Sequence, residues 1–354
     1  MAVKQRRVEI SILNLLFCLL VIWIHCCSHP VTVLDHSSWK YGVIYLTQRL
    51  SFVSVYGFFF LSGVKLTLGH TAPPSALSYL GRRGKAILLP YLLAVVLYYL
   101  FFVWRGYFPF SLTDLAGYAI RGDLASPFYF VIALTQFILL APLFRWLART
   151  CCPAFLLPMA LGVGLISGQC FNDVLHLLSP TLNFAYSDRI FTTYLLYYLA
   201  GCFAGQYYDR FLELLRKNTA VLLVCAGLFT AANALSAWRY FVDGVGVSYF
   251  LLELFNTLYL FSAILALYAL ALRFSGELPA PLRSMDRATF LVYLYHPLVI
   301  TCFNSLAGRL GIVKVSTQFV LRVLVVYTVT FLACILWQQG YSRVKTALRP
   351  SHPN

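Results

Sequence analysis

The chain has 354 residues, of which 60% are hydrophobic and 11% charged, and its net charge is +15. Soluble domains carry about 25% charged residues, so a soluble enzyme or soluble binding module is excluded in favour of a polytopic membrane protein. The basic excess does not call for nucleic acid, because membrane proteins concentrate Lys and Arg in their cytoplasmic loops.

The chain opens with Lys4, Arg6 and Arg7 before an apolar stretch, as a secretion signal does. No small-x-small cleavage pattern follows, so the segment reads as a retained helix. Apolar runs predict about ten spanning helices, at 9–27, 46–69, 86–104, 127–147, 153–169, 189–208, 219–237, 248–272, 289–307 and 319–339. Turn chemistry separates them at 70–74, 241–246 and 278–281. The fold class is therefore all-α: one polytopic helical membrane bundle over 1–354, with no repeat and no linker to a soluble domain. With the N-terminus inside, eighteen Lys and Arg fall on inner segments and eight on outer ones, which predicts both termini in the cytoplasm. The ten cysteines include no C-x-x-C; Cys18, Cys202, Cys225, Cys302 and Cys334 lie in apolar runs and read as small hydrophobes.

Ionisable groups inside spans are costly and are functional candidates by default. His25 sits inside the run ISILNLLFCLLVIWIHCC, Ile10 to Cys27. It stands about 22 Å along its helix, toward the outer side, at 1.5 Å per residue. Histidine suits proton transfer near neutral pH; on position alone, an interfacial side chain closing a helix is a strong competitor. In YGFFFLSGVKL, Tyr56 to Leu66, Gly57 and Gly63 leave room for close approach. There Lys65 reaches the inner interface, where snorkelling is the simpler account. In GRRGKAILLPYLL, Gly81 to Leu93, the basic residues Arg82, Arg83 and Lys85 precede the third span. Such a cluster holds phosphates or anchors the helix end. Gln136, Glu253, Asn256, His296 and Arg322 are further polar groups within spans. Glu253 and Arg322 are positioned for an ion pair, or Glu253 for orienting a protonated His25. His296 begins a His-Pro step that breaks the helical ladder, and a structural hydrogen bond is its simpler role.

Taken together, these pieces resemble the acyltransferase-3 family of bacterial integral-membrane O-acyltransferases, from Glu9 to about Leu336, and its smaller standalone members most. The resemblance rests on LLVIWIH in the first span, GFFFLSG in the second, Arg-Arg-x-Lys before ILLPY, SPFYFVIALTQFILLAP at 126–142, YLLYYLAGCFAG in the sixth span and LVYLYHPLVI in the ninth. Three places depart from it. Asn14 stands where the family often has an arginine, eleven residues before the histidine; Lys85 replaces the second arginine of R-x-x-R; and Phe128-Tyr129-Phe130 replaces a His-Leu-Trp-Phe lead.

The resemblance implies an enzyme of a bacterial plasma membrane with no permanently bound cofactor and no metal. Acyl-CoA, foremost acetyl-CoA, would be the co-substrate, and a hydroxyl of a cell-surface or lipid-linked glycan the acceptor. His25 would be the general base, and Arg82, Arg83, Lys85 and Lys65 would hold the CoA phosphates. Asn14, Arg49, Tyr129, Gln136, Glu253 and His296 are candidate channel or acceptor contacts. The alternative is a transporter or flippase of a small polar solute or glycan precursor, although no internal repeat supports it; a catalytically inactive member is the third reading. Acceptor, acyl length, oxyanion donor and oligomeric state are not legible.

Overall fold

The computed structural model describes residues 7–68, 75–169 and 171–347. Lys4, Arg6, Arg349 and the expected turn at 70–74 lie outside the described residues. Among the described residues every regular element is helical. The α-helices in chain order are α1 (Val8–Val33), α2 (Trp39–Ser51), α3 (Val53–Thr67), α4 (Ala76–Trp104), α5 (Leu112–Arg121), α6 (Tyr129–Leu139), α7 (Ala141–Thr150), α8 (Pro153–Gln169), α9 (Phe171–Leu178), α10 (Leu195–Gln206), α11 (Tyr208–Lys217), α12 (Thr219–Phe241), α13 (Tyr249–Ala271), α14 (Ala280–Arg309) and α15 (Val315–Ala347).

Seven described helices are long and apolar enough to cross a bilayer, with Trp39–Thr67 counted as one. The count is nine if each of two bent pairs is a span: α5 with Ser126–Leu139, bent by 59°, and α8 with α9, bent by 72°. The sequence predicts about ten, and the shortfall lies at 189–208. That stretch folds as the 3-10 turns Ser187–Arg189 and Phe191–Tyr194 followed by α10, which has 12 residues. At 1.5 Å per residue α10 extends about 18 Å, well below the ~30 Å of a hydrocarbon core.

Two other boundaries move for local reasons. The predicted fourth span, 127–147, breaks at Leu140 (φ −86°, ψ 6°), because Pro142 in the first turn of α7 has no N–H to continue the ladder. The third predicted span is α4, which starts ten residues before the expected 86: the Ser75 hydroxyl caps it by accepting the Ser78 N–H at 3.1 Å. Arg82, Arg83 and Lys85 thus lie within α4, not ahead of it.

The chain forms two compact units, the first from residues up to Ser51 and from Phe274 onward, the second from Phe52 to Arg273. In the first unit α1 packs on α2, α14 and α15, burying Phe17, Ile22, Cys26 and Cys27 completely. Side chains of the later helices clamp its backbone: the Tyr327 hydroxyl donates to the Leu19 carbonyl at 2.6 Å and Gln48 Nε2 to the Ile24 carbonyl at 2.9 Å.

In the second unit α3 and α10 touch backbone to backbone. A Cβ on Gly63 would strike the Tyr198 carbonyl, one on Gly201 the Phe60 carbonyl, and one on Gly205 the Val64 carbonyl. Both helices advance in the same direction along this seam, so they run parallel, as small residues permit in a membrane. Stacked rings extend the contact, Phe59 on Tyr194 at 4.3 Å and Phe137 on Tyr198 at 4.0 Å.

Candidate functional site

Three places gather the polar side chains singled out from the sequence. In the first unit, His25 projects half-buried from α1. The His296 ring of α14 lies 5.1 Å from it, centroid to centroid, at an interplanar angle of 44°. Nδ1 of His296 is 3.1 Å from the Val292 carbonyl. Its Nε2 is buried and has no hydrogen-bond partner among the described residues.

The surrounding polar groups are committed to one another. Asn14 Nδ2 donates to Asp286 Oδ1 and to Thr289 Oγ1, each at 2.8 Å, and all three residues are buried. Arg322, only 2% exposed, donates from Nε to Asn304 Oδ1 at 3.1 Å and from Nη1 to the Cys26 carbonyl at 3.3 Å. Its guanidinium also stands 5.9 Å from the Phe303 ring. These Arg322 contacts all lie within the first unit. Arg49, in the last turn of α2, lies within electrostatic range of Tyr45.

The basic residues of the second unit divide between two faces. Arg82 and Lys85, three apart on α4, are exposed, and Arg82 Nε turns back to the Ser78 carbonyl at 3.3 Å. Arg83 is half-buried beside Tyr79, its guanidinium 5.9 Å from the ring. Arg145 of α7 lies against the same ring at 4.6 Å and donates to the Leu66 carbonyl at 3.3 Å. Lys65, half-buried, precedes that carbonyl in the last turn of α3. Both guanidinium groups act electrostatically on Tyr198. Two arginines thus lie against one aromatic ring, and guanidinium groups carry the forked donors that suit phosphate oxygens. Sequence reasoning did not single out Arg145, since it lies 62 residues from Arg83 and looks like an ordinary positive-inside charge in APLFRWL.

A half-open cavity of about 50 Å³, large enough for a few waters or one small polar group, is lined by Tyr56, Tyr197, Thr193, Glu253, Asn256 and Thr257 together with apolar and glycine positions of α8. Glu253 accepts from Asn256 Nδ2 at 3.2 Å. Tyr56 stacks obliquely on Tyr197 at 4.6 Å. Tyr129 adjoins this group by a side-chain hydrogen bond with Tyr194. Gln136, by contrast, has both ends of its amide taken by backbone: Nε2 donates to the Arg189 carbonyl at 2.7 Å, and Oε1 accepts from the Phe191 N–H at 3.1 Å. It pins the turn before α10.

A family model described as "Acyltransferase domain" matches residues 7–337. The chain is 23% identical over 336 residues to a probable poly-beta-1,6-N-acetyl-D-glucosamine export protein of Staphylococcus aureus (strain MRSA252), covering 90% of this chain and 89% of that protein. No solved structure matches.

Proposed function

The chain belongs to the acyltransferase-3 family, and on that premise we propose that this multi-pass membrane protein moves an acyl group, acetyl first among candidates, from cytoplasmic acyl-CoA to a hydroxyl of a cell-envelope glycan or lipid-linked sugar, in a bacterial plasma membrane. The observation that carries the reading is His25. It sits in a membrane helix, is half-buried, and makes no hydrogen bond among the described residues, so its ring nitrogens are left for chemistry. As the acceptor oxygen attacks the thioester carbonyl, His25 takes the hydroxyl proton; the C–S bond breaks and the proton passes to the departing thiolate. Arg83 and Arg145 over Tyr79, with Lys65 near by in sequence to the Leu66 contact, support a site for CoA phosphates; the exposed Arg82 and Lys85 add positive charge on the same helix as Arg83. The Glu253 cavity, with its carboxylate, carboxamide and phenols, supports an acceptor-hydroxyl site.

The test is binding and thioester hydrolysis of acetyl-CoA by the purified detergent-solubilised protein, wild type beside His25→Ala. Micromolar binding by both, with hydrolysis lost only in the variant, is the expected result. No binding by either folded protein overturns the proposal.

A second reading, glycan export, is favoured by the name of the Staphylococcus aureus relative, a probable export protein. If His25→Ala cells still display the polymer on their surface while its acyl groups disappear, transfer and export are separate activities. If polymer display is lost and no acyl group is ever found, export replaces transfer.

A further inference from the structure

The His-Pro step of α14 fixes more than a kink. Pro297 has no N–H, so the Tyr293 carbonyl loses its helical donor. The His296 side chain turns to the carbonyls there, with Nδ1 at 3.1 Å from Val292 and a further backbone contact with Tyr293. A carbonyl only accepts, so Nδ1 carries the proton and Nε2 presents a lone pair. That lone pair is fully buried and has no donor among the described residues, an arrangement proteins avoid. The neighbouring charges are committed elsewhere, Arg322 to Asn304 and the Cys26 carbonyl, Asp286 to Asn14. A second imidazole, that of His25, lies 5.1 Å away between ring centroids. At that separation two rings can turn their nitrogens into hydrogen-bond reach.

Resting on the reading of His25 as the base, we propose that His296 is its positioning residue: Nε2 of His296 accepts an N–H from His25 and so holds the lone pair of the other His25 nitrogen ready for the acceptor hydroxyl. This is the role a carboxylate plays behind the histidine of a hydrolase triad, performed here by a neutral ring that suits an apolar interior. His296 itself gains and loses no proton. The hydroxyl proton goes to His25 and from there to the CoA thiolate. Pro297 takes part indirectly, because the carbonyl it frees helps to set the His296 tautomer.

The experiment pairs a spectroscopic readout with a kinetic one. Nitrogen-15 NMR of histidine-labelled full-length protein in micelles, with the His25 signals assigned by their absence in His25→Ala, reports which His25 nitrogen carries hydrogen. Wild type should show one protonated and one bare nitrogen; His296→Leu should average the two, and His296→Gln, whose amide oxygen can accept, should restore the split. Acetyl-CoA hydrolysis should fall on the order of a hundredfold in kcat for His296→Leu, with KM unchanged and most of the rate recovered in His296→Gln. His25 signals identical in folded wild type and His296→Leu overturn the proposal, whatever the rates. If wild type hydrolyses nothing yet the His25 signals respond as described, the pairing stands and the transferase reading falls. Pro297→Ala, which returns an N–H to Tyr293, should blur the His25 split partially; no change there, with His296→Leu active, also overturns it.

Discussion

The two units handle polar atoms in apolar surroundings differently. In the first, side chains satisfy side chains across helices: Asn14 with Asp286 and Thr289, Arg322 with Asn304. In the second, small residues bring backbones together at the α3–α10 seam, and polar side chains largely serve backbone or each other, as Gln136 does at the turn before α10. In the first unit most of these polar side chains are paired across helices, while His25 and Nε2 of His296 have no hydrogen-bond partner among the described residues; the second is a packed frame that carries a basic, ring-lined corner and a small polar cavity. A polar group omitted from an otherwise complete network is where chemistry is to be sought, since packing alone gives no reason to retain it.

The comparison breaks most plainly at His25. His25→Ala should lower acyl transfer by about 10²- to 10⁴-fold and leave the melting temperature in detergent within a few degrees of wild type. A large loss of stability instead would place His25 inside the structural network. The opposite outcome belongs to the second unit. Gly201→Ala forces a methyl group into the Phe60 carbonyl, so it should destabilise by roughly 1–3 kcal/mol, read as a lowered melting temperature, while acetyl-CoA hydrolysis per folded molecule is retained.

Asn14→Leu tests the network of the first unit. It removes both donations from the amide and leaves buried Asp286 and Thr289 short of donors, at a cost of about 1–3 kcal/mol, measured by thermal or denaturant unfolding; no change would mean the cluster is slack. Arg145→Ala should weaken acetyl-CoA binding roughly tenfold by isothermal titration, with Arg83→Ala similar and Lys85→Ala much weaker in effect. Equal losses at 83, 85 and 145 would argue for a diffuse field rather than a ring-bound site. Smallest of all is Thr330→Val: the Thr330 hydroxyl is buried without a partner among the described residues, so melting should stay within about 0.5 kcal/mol of wild type or rise.

Long apolar runs were legible in the sequence almost to the residue, as α13 (Tyr249–Ala271) against the expected 248–272 and α8 (Pro153–Gln169) against 153–169 illustrate. Errors came where polar composition hid a helix. The first turns of α4 carry Arg82, Arg83, Lys85 and two glycines and look like a loop, yet the Ser75 cap starts the helix there. Errors also came where a proline step divided a run, as at Leu140. His25 and His296 were each visible as polar groups in apolar runs, but their meeting is a tertiary fact between residues 271 apart. The gathering of Arg83 and Arg145 on Tyr79 was hidden for the same reason. Asn14, a departure from the family's arginine, makes sense only beside its partners: its amide supplies the donors that the Asp286 carboxylate and the Thr289 hydroxyl accept.

The order of the chain also sets a clock. Asn14 and Asp286 are 272 positions apart, and the whole second unit is synthesised between them. At about 5–20 residues per second, α1 waits some quarter-minute to a minute in the membrane before α14 and α15 exist to receive its polar groups. During that interval Asn14 and His25 must be sheltered by the insertion machinery or by transient neighbours. A chain arrested before α14 would therefore leave its first helix with unmet polar atoms, a lesion that membrane quality control can read.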